Sequence, residues 1–522
     1  VLWAALEIHY NIQTTPEPSV RSRASIMEFT SWPWQSLPLF STLSLVFMLH
    51  SRRKGKELPP GPPALLFLVK FLALRRSIFD LPQLLRELHA RHGPVISVRL
   101  FRPLVFISDR HLAHRVLVQS GATFAHRLDI FEPGLLFTSG ARNINAAPYG
   151  PYWRLVRRNL ATVMLHPARV GLFAPARRRT RDGLLGDLLA VAGSRPVTVR
   201  PLLRRAMFEL IVYMSFGAWL GPEVLDEIQE LQLWIVRSIL SYPIFYLCPF
   251  LTKRLFRKRW AAHMAVRRRL CEIFVPLIHA RRLRDDDTPA PCYADSLLAL
   301  RLPEEGDRPL TDDEVVSLCS EFLSAGNDGT ATVLEWIMAE LVNRPDMQAR
   351  VYEEVRSKPE LSEGDLQALP YLNAVVLEAL RLHPPVHFLI PHGVQSDGAE
   401  IGGYRVPRGA EVNILIAEVG RDETVWTAAR EFRPERFLDG GEGCDVDVTG
   451  RKEIKMMPFG AGRRICPGYT LGMLHVAYLV AGLVRELEWL PPADGEQVDM
   501  TEVLEFTTVM KQPLRARAIP RS

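Results

Sequence analysis

Apolar side chains recur at three- and four-residue intervals through most of this chain. Residues 81–90, 151–163, 311–343, 345–357 and 366–382 show that spacing, which predicts amphipathic helices. Two stretches alternate instead: "VISVRLFRPLVFIS" (95–108) and "YRVPRGAEVNILI" (404–416) are read as strands with turns. "LHPP" and "RPER" break the pattern in the C-terminal third. Helices outweigh strands, no internal repeat is visible, and strands do not alternate regularly with helices. The pattern predicts a mainly α fold with small β-sheets and argues against a doubly wound sheet.

The N-terminal pattern differs. Residues 29–49 carry no charge, and about 20 such residues suffice to cross the hydrocarbon core. Pro33, Pro38 and Gln35 interrupt the apolar run, and Arg52, Arg53, Lys54 and Lys56 follow it. That order is the reverse of a cleaved signal peptide, and positive charge after the span keeps the rest of the chain in the cytosol. "LPPGPP", from Leu58 to Pro63, holds the backbone extended. The expected organisation is a membrane anchor over 27–50, a basic stop and proline-rich hinge over 51–63, and a globular domain over 64–522. Residues 1–26 lack periodicity; Met27 is read as the native start and 1–26 as upstream sequence outside the native protein.

Composition excludes little else. With 48% hydrophobic and 23% charged residues, the 522-residue chain is ordinary for a globular protein. The net charge of +6 is clustered, as in "RLVRR" from Arg154 and "KRLFRKRWAAHMAVRRR" over 253–269. Such runs are either solvated helix faces or a basic surface for acidic lipid or an acidic protein partner. Nucleic acid is not supported, because no binding motif accompanies the charge. Six cysteines without a C-x-x-C pair argue against both a disulfide scaffold and structural zinc.

One cysteine stands apart. In "PFGAGRRICPG", Cys466 lies among glycines and arginines. A lone thiolate can be a nucleophile, a metal ligand or a buried apolar group, and no partnered His and Asp set supports the first. Gly462 and Gly468 permit a tight turn and close approach to a flat ligand, and backbone N–H groups there can face the sulfur. Arg464 can hold a carboxylate with two hydrogen bonds, and Phe459 can limit solvent access. These parts suit a thiolate on haem iron, with Arg464 on a propionate.

The pattern Phe459-x-x-Gly462-x-Arg464-x-Cys466-x-Gly468 resembles the haem-binding loop of the cytochromes P450, and the resemblance extends from Leu58 to the C-terminus, closest to the plant microsomal type. It implies the cytochrome P450 fold enclosing a buried haem b, with Cys466 as metal ligand and 64–522 as the haem-thiolate catalytic domain. By the same resemblance Glu378 and Arg381 of "EALR" form a structural triad with Arg436 of "RPERF". Trp153 and Arg157 of "WRLVR" face the propionates, and His392 adds a further contact.

"AGNDGT" matches the family's oxygen-activating pattern at Ala325, Gly326 and Asp328, but Gly329 stands where the family has a threonine and Thr330 follows one position later. A one-residue shift turns a side chain about a quarter turn around a helix. Thr330 then either acts from a local bulge or bonds back to a carbonyl one turn earlier. Asp328, Gly329 and Thr330 are the catalytic candidates, and three readings stay open. Water or a substrate hydroxyl carries the proton, coupling leaks to peroxide, or the enzyme rearranges a peroxide substrate.

The resemblance implies a monooxygenase inserting one atom of O2 into a small apolar substrate. Electrons come from NADPH–cytochrome P450 reductase, since the chain has no flavin or NADPH fingerprint of its own. The expected location is the endoplasmic reticulum membrane, in contact with lipid, with the catalytic domain cytosolic. Residues 124–147, 207–250, 320–325, 386–390 and 504–509 are expected to face substrate. A non-catalytic haem-binding protein is the reading from another class.

Overall fold

The computed structural model describes residues 58–64, 66–67, 81–100, 102–191, 195–239, 242–246, 249–283, 291–358 and 362–521. The helices that matter here are α1 (Pro151–Asn159), α2 (Val199–Phe216), α3 (Pro249–Leu255), α4 (Arg257–Arg282), α5 (Asp312–Asn343), α6 (Pro370–Leu382) and α7 (Tyr469–Glu486). Helix α5 runs through the centre, packed along α2 and against α4, α6 and α7. Its start is encoded locally. The Thr311 hydroxyl accepts from the Glu314 amide at 3.2 Å, while Glu314 reaches back to the Thr311 amide at 2.8 Å. Asp312, Asp313 and Glu314 complement the helix dipole. At Gly326 a Cβ would come within 3.0 Å of Ile211 on α2, so glycine lets the two helices close.

The predicted helices are present with shifted ends. The 151–163 helix is regular to Asn159 and continues as a wider π turn over Leu160–Met164. The 366–382 helix begins only at Pro370, because Glu363–Ala368 forms a 3₁₀ turn and proline suits the first helical position. The hairpin over 95–108 is strands β1 (Val95–Arg99) and β2 (Pro103–Ile107), antiparallel with Ser97 opposite Val105. Strands β3 (His392–Gly393) and β4 (Glu411–Ile414) complete a four-stranded sheet, with β4 parallel to β2. A second hairpin joins β5 (Glu502–Leu504) to β6 (Thr508–Met510). The apolar core has two main parts, one among the helices around Trp336 and one on the sheet around Val105, Ile107, Val412 and Ile414.

The proline-rich stretch over 58–63 forms no helix and is pinned to the sheet. Ser97 of β1 donates its amide to the Pro60 carbonyl at 2.9 Å and its hydroxyl to the Pro59 carbonyl at 2.6 Å. A Cβ at Gly61 would lie 1.9 Å from the Ser97 carbonyl oxygen, so only glycine permits this approach. The expected upstream segment, anchor and basic residues before Leu58 lie outside the described residues. Among the described residues no helix is long and apolar enough to cross a membrane.

Candidate functional site

The Cys466 loop is built backwards from its glycines. Gly460 and Gly462 both have φ of +71°, and a Cβ on Gly462 would sit 1.9 Å from the Leu117 carbonyl oxygen. The loop therefore lies hard against residues 115–119. The Cys466 amide donates to the Phe459 carbonyl at 2.8 Å, closing the turn, and the half-buried Phe459 ring packs against Tyr469. Burial pushes the Cys466 thiol up, opposed by the Gly468 amide and the Arg157 guanidinium. A Cβ on Gly468 would meet nothing within 4 Å. Cys466 itself is half-buried.

Three guanidinium groups converge beside it. Arg464 donates to the carbonyls of Ala125 (2.8 Å), Ile144 (3.0 Å) and Ala147 (2.7 Å) and lies over the Trp153 ring at 4.4 Å. Trp153, buried on α1, donates to the Ile144 carbonyl at 3.1 Å. Arg157, one turn along α1, donates to the Ile465 carbonyl next to the cysteine. Arg127 binds the carbonyls of Asn145, Ile390 and Pro391. The His392 ring is buried and donates through Nδ1 to the Phe124 carbonyl at 2.7 Å. Burial, and next the nearby Arg127 charge, hold His392 down to about 3, so the ring is neutral.

Arg464 is pushed down to about 9 by burial and then by Arg127 and Arg157; burial takes Arg127 to about 10. The acid they share is Glu321 on α5, which accepts from the amides of Ile144 (2.8 Å) and Asn145 (2.6 Å). Burial pushes Glu321 up to about 7. Within 4 Å none of the three arginines has an ion-pair partner among the described residues. A site with one buried and two half-buried guanidinium groups and one weakly ionised acid is short of negative charge. Two propionates would supply it, so the residues present fit a haem. Arg127 and Glu321 were not singled out from the sequence, although both fall in stretches expected to face substrate; a charge inside such an apolar run is the signal that marks them.

On α5, Thr330 donates to the Gly326 carbonyl at 3.1 Å. That is the local back-bond, with no bulge, so Thr330 does not replace the missing hydroxyl as a catalytic residue. At Gly329 the atom nearest to a Cβ would be Pro385 Cβ, at 3.9 Å. Asp328 accepts from Thr507 through Oδ2 at 2.8 Å and faces Arg204 of α2 through Oδ1 at 3.1 Å. Ala325 is exposed although Phe322, Leu323 and Asn327 nearby are buried, so α5 borders interior space here.

The triad forms as expected. Arg381 binds Glu378 with two hydrogen bonds, at 2.6 and 2.8 Å, and Arg436 reaches Glu378 at 3.2 Å. All three side chains are buried. Further guanidinium donors go to carbonyls, Arg381 to Gly420 and Ala429 and Arg436 to Ala428, and Arg436 also pairs with the Glu442 carboxylate.

A helical fold with a thiolate loop, a cationic cradle and a buried Glu-Arg-Arg triad defines a haem-thiolate protein. The cytochrome P450 family model matches residues 59–517, and the chain belongs to that family. It is 40% identical to cytochrome P450 89A9 of Arabidopsis thaliana, covering 93% of this chain and 97% of that one. It is 30% identical to beta-amyrin 24-hydroxylase of Glycine max, covering 92% and 96%. Retinoic acid-bound cyanobacterial CYP120A1 superposes with a TM-score of 0.71 at 22% identity, over 89% of this chain and all of that one, which shows the shared fold. The chain is a plant-type cytochrome P450, a haem-dependent monooxygenase.

Proposed function

We propose that this enzyme inserts one oxygen atom from O2 into a small apolar substrate, using haem b and electrons from NADPH–cytochrome P450 reductase at the endoplasmic reticulum membrane. The surplus of buried and half-buried guanidinium beside Cys466 carries the reading, because an anionic ligand of haem's kind balances it. When bound, haem supplies the oxygen-activating chemistry, which a cysteinate ligand favours by donating electron density. Cys466 holds the iron, and the Gly468 amide and Arg157 stabilise the sulfur's negative charge. Arg464, Arg127 and Arg157 hold the propionates, with Trp153 and His392 fixing the loop they bind. Asp328, bonded by Thr507 and paired with Arg204, passes protons toward the interior space bordered by Ala325.

An apolar substrate is supported by the exposed side chains of Phe131, Ile390 and Phe506, each in a stretch expected to face it. Phe250, Leu251, Leu255 and Phe256 are exposed on and beside α3, interleaved with Lys253 and Arg254. Such an apolar and basic face supports lipid contact. The 253–269 run is less suited to the reductase than its charge suggests. Arg267 is buried and bound to Asp313, and Arg269 pairs with Glu227 and Glu272. Exposed Arg154 and Arg158, on the helix that carries Arg157, form the better docking surface. The hydroxylase among the relatives disfavours peroxide rearrangement and a non-catalytic role.

The test is the visible spectrum of the dithionite-reduced protein under carbon monoxide. The native protein shows the long-wavelength Soret band of thiolate ligation, and Cys466→Ser loses it. A folded native protein without that band overturns the assignment.

A further inference from the structure

We propose that Thr507 supplies the hydroxyl that α5 lacks at Gly329, acting as a positioning residue that aims Asp328 for proton delivery. The inference rests on the monooxygenase reading. Thr507 is not on α5; it closes the three-residue turn between β5 and β6, where the Glu505 amide donates to the Thr507 carbonyl at 2.9 Å. Its side chain is buried, at 2% exposure. A carboxylate only accepts, so the 2.8 Å bond to Asp328 Oδ2 must be donated by the Thr507 hydroxyl. The Thr507 oxygen is then left to accept from Thr332, 3.1 Å away and one turn beyond Asp328 on α5. This gives a directed series, Thr332 to Thr507 to Asp328.

The hairpin delivers this hydroxyl to the corner that Gly329 leaves open. The Thr508 amide donates to the Pro385 carbonyl at 2.7 Å, and Pro385 is also the nearest neighbour of a Cβ at Gly329. Thr330 is not available, being bonded to Gly326. On its other side Asp328 meets Arg204, which lies 4.0 Å from the exposed carboxylate of Glu505. Arg204 and Glu505 flank the acid on its outer side, and the Asp328 side chain is itself 24% exposed, so it meets water there directly. A proton taken up there is released inward, and the carboxylate is restored. With Arg204 on one oxygen and Thr507 on the other, the carboxylate cannot rotate freely.

Thr507→Val, Thr507→Ser and the double variant Thr507→Ala/Gly329→Thr are compared with native holoenzyme. Product and peroxide are measured per NADPH consumed, together with the infrared stretch of carbon monoxide on the reduced haem. Thr507→Val raises the peroxide-to-product ratio roughly tenfold and shifts the stretch, while the Soret band under carbon monoxide keeps its position. Thr507→Ser restores both. Because losing Thr507 also removes a tie between hairpin and helix, the double variant decides between the roles. Recovered coupling supports the proposal; coupling that stays lost shows Thr507 to be only a tie and overturns it. Native coupling and an unshifted stretch in Thr507→Val also overturn it. These failures leave the Soret band intact, whereas failure of the monooxygenase reading removes the band or the product from the native enzyme.

Discussion

A carboxyl enclosed by protein favours its protonated form, and Glu321 is the clearest case here, pushed up to about 7 from a usual 4.5. Between those values the folded protein keeps a proton that the unfolded chain has released, so stability falls as pH rises across that window. Glu321→Gln removes this contribution, and melting temperatures measured from about pH 5 to 8 should fall less steeply than in the native enzyme. A remaining slope of the same sign is expected from His383. Burial lowers its affinity for a proton, but bonds to Glu340 and Glu502 outweigh that and raise it. Its contribution is complete below the usual 6.5 and lost as pH rises through the folded value. Cys466, Arg464 and Asp328 were legible as chemistry in the sequence because they sit in spaced motifs. Glu321, Arg127 and Thr507 were not, because each acts on residues more than ten positions away, and no local spacing records such a pairing.

The triad ties α6 to the segment around Arg436, and its energetics belong to the elements it joins. Glu378→Ala leaves the buried Arg381 guanidinium without its carboxylate, while Arg436 keeps Glu442, a loss of about 3–5 kcal/mol. Urea unfolding should show that loss as a lower midpoint, with less haem-loaded protein recovered. Gly441 belongs to the same construction, because a Cβ there would lie 2.3 Å from the Arg436 carbonyl oxygen; Gly441→Ala is expected to destabilise the same region. Element types were readable from periodicity, and the β1–β2 hairpin was placed correctly. Their ends were less so. The start of α6 moved to Pro370 because the preceding turn satisfies its own backbone groups, and the 404–416 strand split at Pro407–Gly409, where Gly409 has φ of +79°.

At the scale of the whole molecule, the proposed reductase docking rests on charge. Exposed Arg154 and Arg158 share α1 with Arg157, which places a positive surface on the element that also touches the cysteine loop. On the proposed docking, Arg154→Glu/Arg158→Glu raises the reductase KM and flattens its rise with added salt, while the Soret band under carbon monoxide is unchanged. A KM insensitive to both salt and charge reversal would place the reductase elsewhere. The helical body and its central helix were legible before the structure. The assignment of the 253–269 charges was not, since pairing with Glu227, Glu272 and Asp313 depends on how α4 packs.

The clasp between Ser97 and the Pro59–Pro60 carbonyls has a mechanical consequence. A swivel would let the body spin about its tether, whereas a clasp transmits torque. On the membrane reading, Leu58 therefore leaves the body at a heading fixed by strand β1, within one four-stranded sheet with β3, whose His392 belongs to the haem cradle. On that reading the clasp helps to set the tilt at which the body meets the bilayer.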